Sequence, residues 1–90
     1  MVSTLSLAER LRMTLRDVLS LQPGVAATLE AGSPLFGALP ELDSMAVATL
    51  LTEIEDRFDI VIDDDDVDGE TFETFGSLAS FIEAKQAASR

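Results

Sequence analysis

The sequence predicts an all-α fold, a small bundle of three principal helices plus one short helix, with a long loop between the first two principal helices. Three observations support this class. Apolar residues recur at spacings of three and four along the predicted helices. Proline and glycine separate the first two of these segments. The β-branched run at 60–62 is followed at once by four aspartates and is too short and too charged for a strand. Ninety residues fit a single domain over 1–90.

The first helix is predicted over 4–21. Its apolar stripe recurs at spacings of four, four and three, at Leu7, Leu11, Leu15 and Val18. Pro23 ends it, because proline cannot continue a helix and restrains the residue before it. The loop that follows is predicted over 25–43. We expect its apolar residues to hold it against the core, namely Leu29, Leu35, Phe36 and Leu39.

The second principal helix is predicted from Asp43 and Ser44 to about Phe58, with a stripe at Val47, Leu50, Leu51, Ile54 and Phe58. An extended connection follows and turns one or two aliphatic residues of 60–62 inward. A short helical turn is predicted near 67–72. The last helix is predicted from 74 or 75 to about Ala87, with Thr74 as a plausible N-cap and a buried edge at Leu78, Phe81 and Ile82.

The negative charge is concentrated in one segment. The formal net charge is −11, and residues 53–73 hold eleven acidic residues against Arg57 as their one base. Residues 1–20, in contrast, have a net charge of plus one. A field of this kind repels nucleic acid and steers the protein toward basic protein surfaces. We therefore expect protein partners and no nucleic acid.

Composition argues against an enzyme. The chain has no Cys and no His, so it lacks a thiolate nucleophile, the usual general base near neutral pH and the commonest metal ligands. No pattern buries one carboxylate beside another to shift their pKa values apart. No apolar run approaches the roughly 18 residues of a membrane span, and the N-terminus lacks the layout of a signal peptide. We expect a cytoplasmic protein without catalytic residues.

A calcium loop is the strongest metal motif. Asp64, Asp66, Asp68 and Gly69 match positions 1, 3, 5 and 6 of an EF-hand loop. Position 12, which requires a bidentate glutamate, is occupied by Phe75. The preceding segment is also not a helix. We predict no specific metal site, although so many carboxylates favour weak, diffuse binding of divalent cations.

Two polar residues stand at the start of the second helix, where one cap suffices. Either Asp43 or Ser44 can accept hydrogen bonds from the unpaired amides of the first turn. Neither is followed three residues later by the Glu or Gln of a capping box. If Asp43 caps the helix, the Ser44 hydroxyl is exposed at the positive end of the helix dipole, a position suited to a phosphodiester.

The stretch LDSMAVATLLTEIEDRFDI, which begins at Leu42, resembles the second helix of acyl carrier proteins and related phosphopantetheine-attachment domains. The later stretch TFETFGSLASFIEAK is similar to the end of that family's sequence, so the likeness covers essentially the whole chain. The resemblance implies that Ser44 carries 4'-phosphopantetheine, with Asp43 setting the local geometry. It also implies a surface read by partner enzymes, comprising Met45, Glu53, Glu55 and Asp56.

As the resemblance implies, the partners are a phosphopantetheinyl transferase and an acyl-activating ligase, acyltransferases or synthases with basic docking faces, in fatty acid or lipid biosynthesis. A monomer is expected. Acyl groups would be carried as thioesters on the thiol of the arm, and Ala48, Leu50, Ile54 and Phe58 would line an acyl chain held in the bundle.

The sequence departs from the family pattern around the serine. Many fatty-acid carriers have a Gly shortly before the Asp-Ser pair and acids two and five residues after the serine. Here those two later positions are Ala46 and Thr49. We therefore expect a specialised carrier. PELDSMAV is similar to stand-alone bacterial carriers found beside acyl-activating ligases in exosortase-type polysaccharide systems. The alternative is an acidic helical adaptor that binds a basic protein non-covalently, with Ser44 only as a helix cap.

Overall fold

The computed structural model describes residues 6–36 and 39–88, and the predicted helix start at Thr4 lies outside them. The described ranges contain no β-strand, and the predicted all-α fold is confirmed. In chain order the helices are α1 (Leu7–Leu19), α2 (Pro23–Ala27), α3 (Ser44–Phe58) and α4 (Phe75–Ala88), with a 3₁₀ turn at Asp64–Asp66.

Helix α1 begins and ends with local signals. The Ser6 hydroxyl accepts a hydrogen bond from the Glu9 amide at 3.1 Å, and Ser20 closes the helix in the left-handed conformation at φ 55°. Pro23 then takes the first position of the short helix α2, where its missing N–H costs nothing. The prediction used Pro23 only as the end of the preceding helix, and it therefore missed α2.

The core lies where α1 packs against α2, α3 and α4. The predicted stripes supply its centre, since Leu11, Leu15, Leu50 and Ile54 are fully buried. Further apolar residues from the four helices and the loops complete it, namely Leu19, Leu21, Ala26, Leu29, Leu35, Leu42, Phe58, Ile60, Phe72, Phe75, Leu78 and Ile82.

The loop between α2 and α3 is held against the segment that precedes α4. The amides of Leu35 and Phe36 donate to the carbonyls of Glu73 and Phe72, both at 3.0 Å. Pro34 and Thr74 form an isolated antiparallel bridge. Of the four predicted apolar anchors, Leu29 and Leu35 are buried, Leu39 is half-buried and Phe36 is half exposed. Phe36 is therefore fixed through its backbone.

The connection from α3 to α4 contains less helix than predicted. Ile60 is buried and Ile62 half-buried, while Val61 between them is exposed, as expected for an extended chain. The helical turn predicted near 67–72 is a series of hydrogen-bonded turns, and the 3₁₀ turn precedes it. The Asp68 carboxylate accepts hydrogen bonds from the amides of Glu70 and Thr71, which favours a turn over a continued helix.

Helix α4 begins as predicted. The Thr74 hydroxyl accepts a hydrogen bond from the Ser77 amide, and the Ser77 hydroxyl accepts one from the Thr74 amide, both at 3.0 Å. Leu78 and Ile82 are buried and Phe81 is half-buried. No helix within the described ranges is long and apolar enough to cross a membrane.

Candidate functional site

Asp43 is the N-cap of α3. Its Oδ1 accepts a hydrogen bond from the Ala46 amide at 2.8 Å, and its carbonyl accepts the first intrahelical bond, from Val47, at 2.9 Å. Its backbone is extended, with φ −106° and ψ −175°, as a capping residue requires. Asp43, and not Ser44, is therefore the capping residue, because its carboxylate accepts the hydrogen bond from the first-turn amide. The Ser44 side chain is not needed as a cap.

Ser44 is the first residue of α3, and its side chain is exposed. Within 6–36 and 39–88, no side chain or backbone group forms a hydrogen bond with its hydroxyl. The preceding Leu42 is buried in the core, and its amide donates to the Leu39 carbonyl at 3.0 Å. The loop before the serine is therefore held by the buried Leu42 side chain and by the Leu42 backbone hydrogen bond. These contacts fix the backbone from which the Ser44 hydroxyl is presented.

The electrostatic setting of Ser44 favours an anion. The amides of Ser44 and Met45 precede the first intrahelical bond, so they remain available to an acceptor. They lie at the positive end of the dipole of a 15-residue helix. A phosphodiester attached to the Ser44 oxygen can use these amides, although the Asp43 carboxylate, which is bonded to the Ala46 amide, shares this end of the helix.

Met45 follows the serine with 82% of its surface exposed. An apolar side chain exposed to this degree makes little contribution to the core. Its thioether is flexible and polarizable and is suited to contact with more than one partner surface. The structure thus places Met45 beside the serine with its side chain open to solvent.

The three acidic residues predicted as partner contacts have different surroundings. Glu53 accepts a hydrogen bond from Arg57 Nε at 2.9 Å, so its carboxylate is paired within its own helix. The Glu55 carboxylate accepts a hydrogen bond from the Ile62 amide at 2.7 Å and holds the connection after α3. Asp56 is exposed, and its carboxylate forms no hydrogen bond or ion pair with the described residues. Of the three, Asp56 has a carboxylate that is free for a partner.

A pocket of about 390 Å³ opens between α3 and the connection that follows it. Its lining combines aliphatic and polar side chains, namely Ala48, Leu51, Thr52, Glu55, Ile62, Asp63 and Val67. Of the four predicted liners of an acyl chain, Ala48 lies in this pocket, whereas Leu50, Ile54 and Phe58 are buried in the core. Ile62 and Val67, apolar residues in the acidic segment, also line this pocket.

The charged groups whose pKa values are shifted by their neighbours lie away from the serine. The Arg57 guanidinium lowers the pKa of Asp17 through a hydrogen bond of 3.0 Å, and the same contact raises the pKa of Arg57. The Lys85 ammonium, 2.7 Å from Asp66, lowers the pKa of that carboxyl. Among the residues that the structure describes, no three ligand-type side chains are grouped to hold a metal ion.

Sequence and structure comparisons both relate this chain to a known family. Residues 9–82 match the family described as "Phosphopantetheine attachment site". The fold is similar to the solution NMR structure of a holo acyl carrier protein from Nitrosomonas europaea, with a TM-score of 0.84 and 47% sequence identity. That similarity covers 92% of this chain and 99% of the other. A search of curated proteins found no match.

Proposed function

This chain belongs to the phosphopantetheine-attachment family and is an acyl carrier rather than an enzyme, and from that premise we propose that Ser44 is the residue that bears the 4'-phosphopantetheine arm. One observation carries the proposal: the Ser44 hydroxyl is exposed at the start of α3 while Asp43 supplies the cap. A serine that is released from capping and presented at a helix N-terminus is suited to receive a phosphate ester.

Loading requires the Ser44 oxygen to form an ester bond to phosphorus. A separate phosphopantetheinyl transferase supplies coenzyme A and Mg²⁺, the pyrophosphate bond of coenzyme A breaks, the nucleotide half leaves, and the serine proton passes to the transferase. In this step the chain contributes the exposed hydroxyl, the first-turn amides that favour the new anion, and the rigid backbone fixed by Asp43 and Leu42. When bound, the arm supplies the thiol that a chain without cysteine lacks.

Carriers of this family interact with a phosphopantetheinyl transferase and with synthases or acyltransferases. We propose that these partners, together with an acyl-activating ligase, dock through basic surfaces onto the face that carries Met45 and Asp56. The net charge of −11 supports this, because it accelerates encounters with basic proteins and repels nucleic acid. We further propose that the protein acts as a single-domain monomer in the cytoplasm.

Intact-mass measurement tests the attachment site. The purified protein is incubated with coenzyme A, Mg²⁺ and a broad-specificity phosphopantetheinyl transferase that is shown to be active on another carrier. The wild type should gain the mass of one phosphopantetheine, and Ser44→Ala should gain none. Ser80→Ala is the matched control, because Ser80 is also an exposed helical serine, and it should be loaded like the wild type.

Two results would contradict the proposal. Loading of Ser44→Ala would place the arm on another residue. Failure to load the folded wild type would favour the adaptor alternative, in which Ser44 has no covalent role and the acidic surface binds a basic protein. Far-UV circular dichroism of each variant establishes that it is folded before its mass is interpreted.

A further inference from the structure

The pocket between α3 and the connection that follows it begins one turn from Ser44. Ala48, Thr52 and Glu55 line the pocket, and they follow Ser44 at spacings of four, four and three. Residues at these spacings lie on one side of a helix. At about 1.5 Å per residue, Glu55 is about 16 Å along the helix from Ser44. The pocket therefore extends along α3 from the turn next to the proposed attachment residue.

The wall of the pocket opposite α3 is held by two helices. The Ile62 amide donates to the Glu55 carboxylate at 2.7 Å, which ties the connection to α3. The Asp66 carboxylate accepts hydrogen bonds from the Asp63 amide at 2.9 Å and from Lys85 of α4 at 2.7 Å. The part of the wall that contains Ile62 and Asp63 is therefore positioned before a ligand enters.

The polar side chains of the pocket are hydrogen-bond acceptors. The Thr52 hydroxyl donates its hydrogen to the Ala48 carbonyl at 3.2 Å, so its oxygen remains as an acceptor. One oxygen of Glu55 accepts from the Ile62 amide, whereas its other oxygen and the Asp63 carboxylate form no hydrogen bond or ion pair with the described residues. Among the described residues that line the pocket none is basic, so the lining offers aliphatic contacts and acceptors without a charged donor.

We propose that this pocket selects the cargo of the carrier, and that it takes a short acyl group whose far end carries a hydrogen-bond donor, either a hydroxyl or an ammonium group. This inference rests on the proposed attachment at Ser44, because the cargo reaches the pocket through the arm. A saturated chain that extends to Glu55 and Asp63 would remove water from both carboxylates without replacing its hydrogen bonds. A donor at that end replaces them, and the two carboxylates favour an ammonium group over a hydroxyl.

Three cargo chains of equal size test this choice. A broad-specificity phosphopantetheinyl transferase loads the wild type from amide analogues of acyl-coenzyme A, in which NH replaces the thioester sulfur, so no cargo is lost by hydrolysis. One chain is a saturated seven-carbon acyl group, and the others are six-carbon acyl groups that end in a hydroxyl or an ammonium group. Both donor-ended chains should raise the Tm about 3 to 5 °C more than the saturated chain does. High salt should reduce the effect of the ammonium group only, which distinguishes the two cargo chemistries.

Glu55→Gln combined with Asp63→Asn tests whether the effect comes from the pocket. The Gln side chain can still accept the hydrogen bond from the Ile62 amide, so the wall remains tied to α3 while both carboxylates are removed. The double variant should lose most of the difference in Tm between the donor-ended and saturated chains. Asp65→Asn is the matched control, because it removes an exposed carboxylate of the same connection that does not line the pocket, and it should keep the difference.

Equal shifts in Tm for the three chains, or a larger shift for the saturated chain, would overturn the inference. A difference that persists in the double variant would also overturn it. Both results would leave the attachment at Ser44 intact, because every charged form is made by loading that residue. Failure of the wild type to load at all would instead remove the proposed function on which the inference rests.

Discussion

Arg57, near the C-terminal end of α3, is bonded to Asp17 of α1, with 3.0 Å between Arg57 Nη1 and Asp17 Oδ2. The same guanidinium binds Glu53 one turn earlier on α3. Arg10 of α1 completes the contact, since it donates to the Arg57 carbonyl and lies over the Phe58 ring, 4.5 Å from its centroid. Helices α1 and α3 are thus joined at their surface by two arginine side chains as well as by the buried core.

A double-mutant cycle on this pair should give a small favourable coupling. Asp17→Asn and Arg57→Gln remove the charges singly and together, and urea unfolding supplies the four free energies. We expect a coupling energy of about 0.5 kcal/mol, because both side chains are more than a third exposed and solvent screens the pair. A coupling energy of zero would mean that the contact contributes nothing to the folded state in solution.

The stability that Asp17 provides should depend on pH. Its pKa is lowered in the folded state, chiefly by the hydrogen bond from Arg57, so folding favours the charged carboxylate. Its stabilising contribution is therefore present above the unfolded-state pKa of about 3.9 and is lost as the pH falls through the lower folded-state pKa. The difference in unfolding free energy between the wild type and Asp17→Asn should be largest near neutral pH. It should shrink below about pH 4, and a difference that grows on acidification would contradict the assignment.

The parts of the fold predicted from sequence are those with a local signal. The stripe of α3 and the cap at Thr74 are read from residues within a few positions of each other, and the structure confirms them. The α3 cap was left open between Asp43 and Ser44, and the structure shows that Asp43 is the cap. Helix α2 has five residues, too few for an apolar period to be visible. The pairing of Pro34 with Thr74 joins residues 40 positions apart, and no local pattern specifies such a contact.

For the candidate site, too, the sequence predicts the features that adjacent residues define and not those that depend on contacts between distant segments. The Asp43–Ser44 pair and the neutral positions 46 and 49 are visible in the sequence. The ion pair of Glu53 depends on the rotamer of Arg57, and the hydrogen bond from the Ile62 amide to the Glu55 carboxylate depends on where the chain runs after α3. Sequence therefore located the acidic residues but did not distinguish the free carboxylate of Asp56 from the two that are bonded.

Removal of the α3 cap should destabilise the protein without removing the attachment residue. Asp43→Ala leaves the Ala46 amide without its partner and should lower the unfolding free energy by about 1 kcal/mol, whereas Asp43→Asn should retain most of the bond. Urea unfolding measures both, with Asp56→Ala as a control at an exposed and unbonded aspartate. Equal stability of the wild type and Asp43→Ala would show that the hydrogen bond does not stabilise α3.

Gly76 should be intolerant of a side chain although it lies in a helix. Ala favours helix over Gly by about 1 kcal/mol, so propensity alone predicts that Gly76→Ala stabilises α4. However, a Cβ at this position would lie 2.7 Å from the Ala31 carbonyl oxygen, the atom that accepts the Gly76 amide hydrogen bond at 2.9 Å. The contact is with backbone, which cannot rotate away as a side chain can. We expect Gly76→Ala to lower the unfolding free energy by about 1 to 3 kcal/mol.

Gly69→Ala provides the matched comparison for Gly76→Ala. A Cβ at Gly69 meets nothing within 4 Å, and the backbone there does not require glycine. This substitution should be neutral or slightly stabilising, because alanine reduces the freedom of the unfolded chain. Thermal or urea unfolding of the two variants separates the clash from the general effect of replacing glycine. If Gly76→Ala proved as stable as Gly69→Ala, the loop before α3 would not approach α4 as closely as the Gly76–Ala31 hydrogen bond requires.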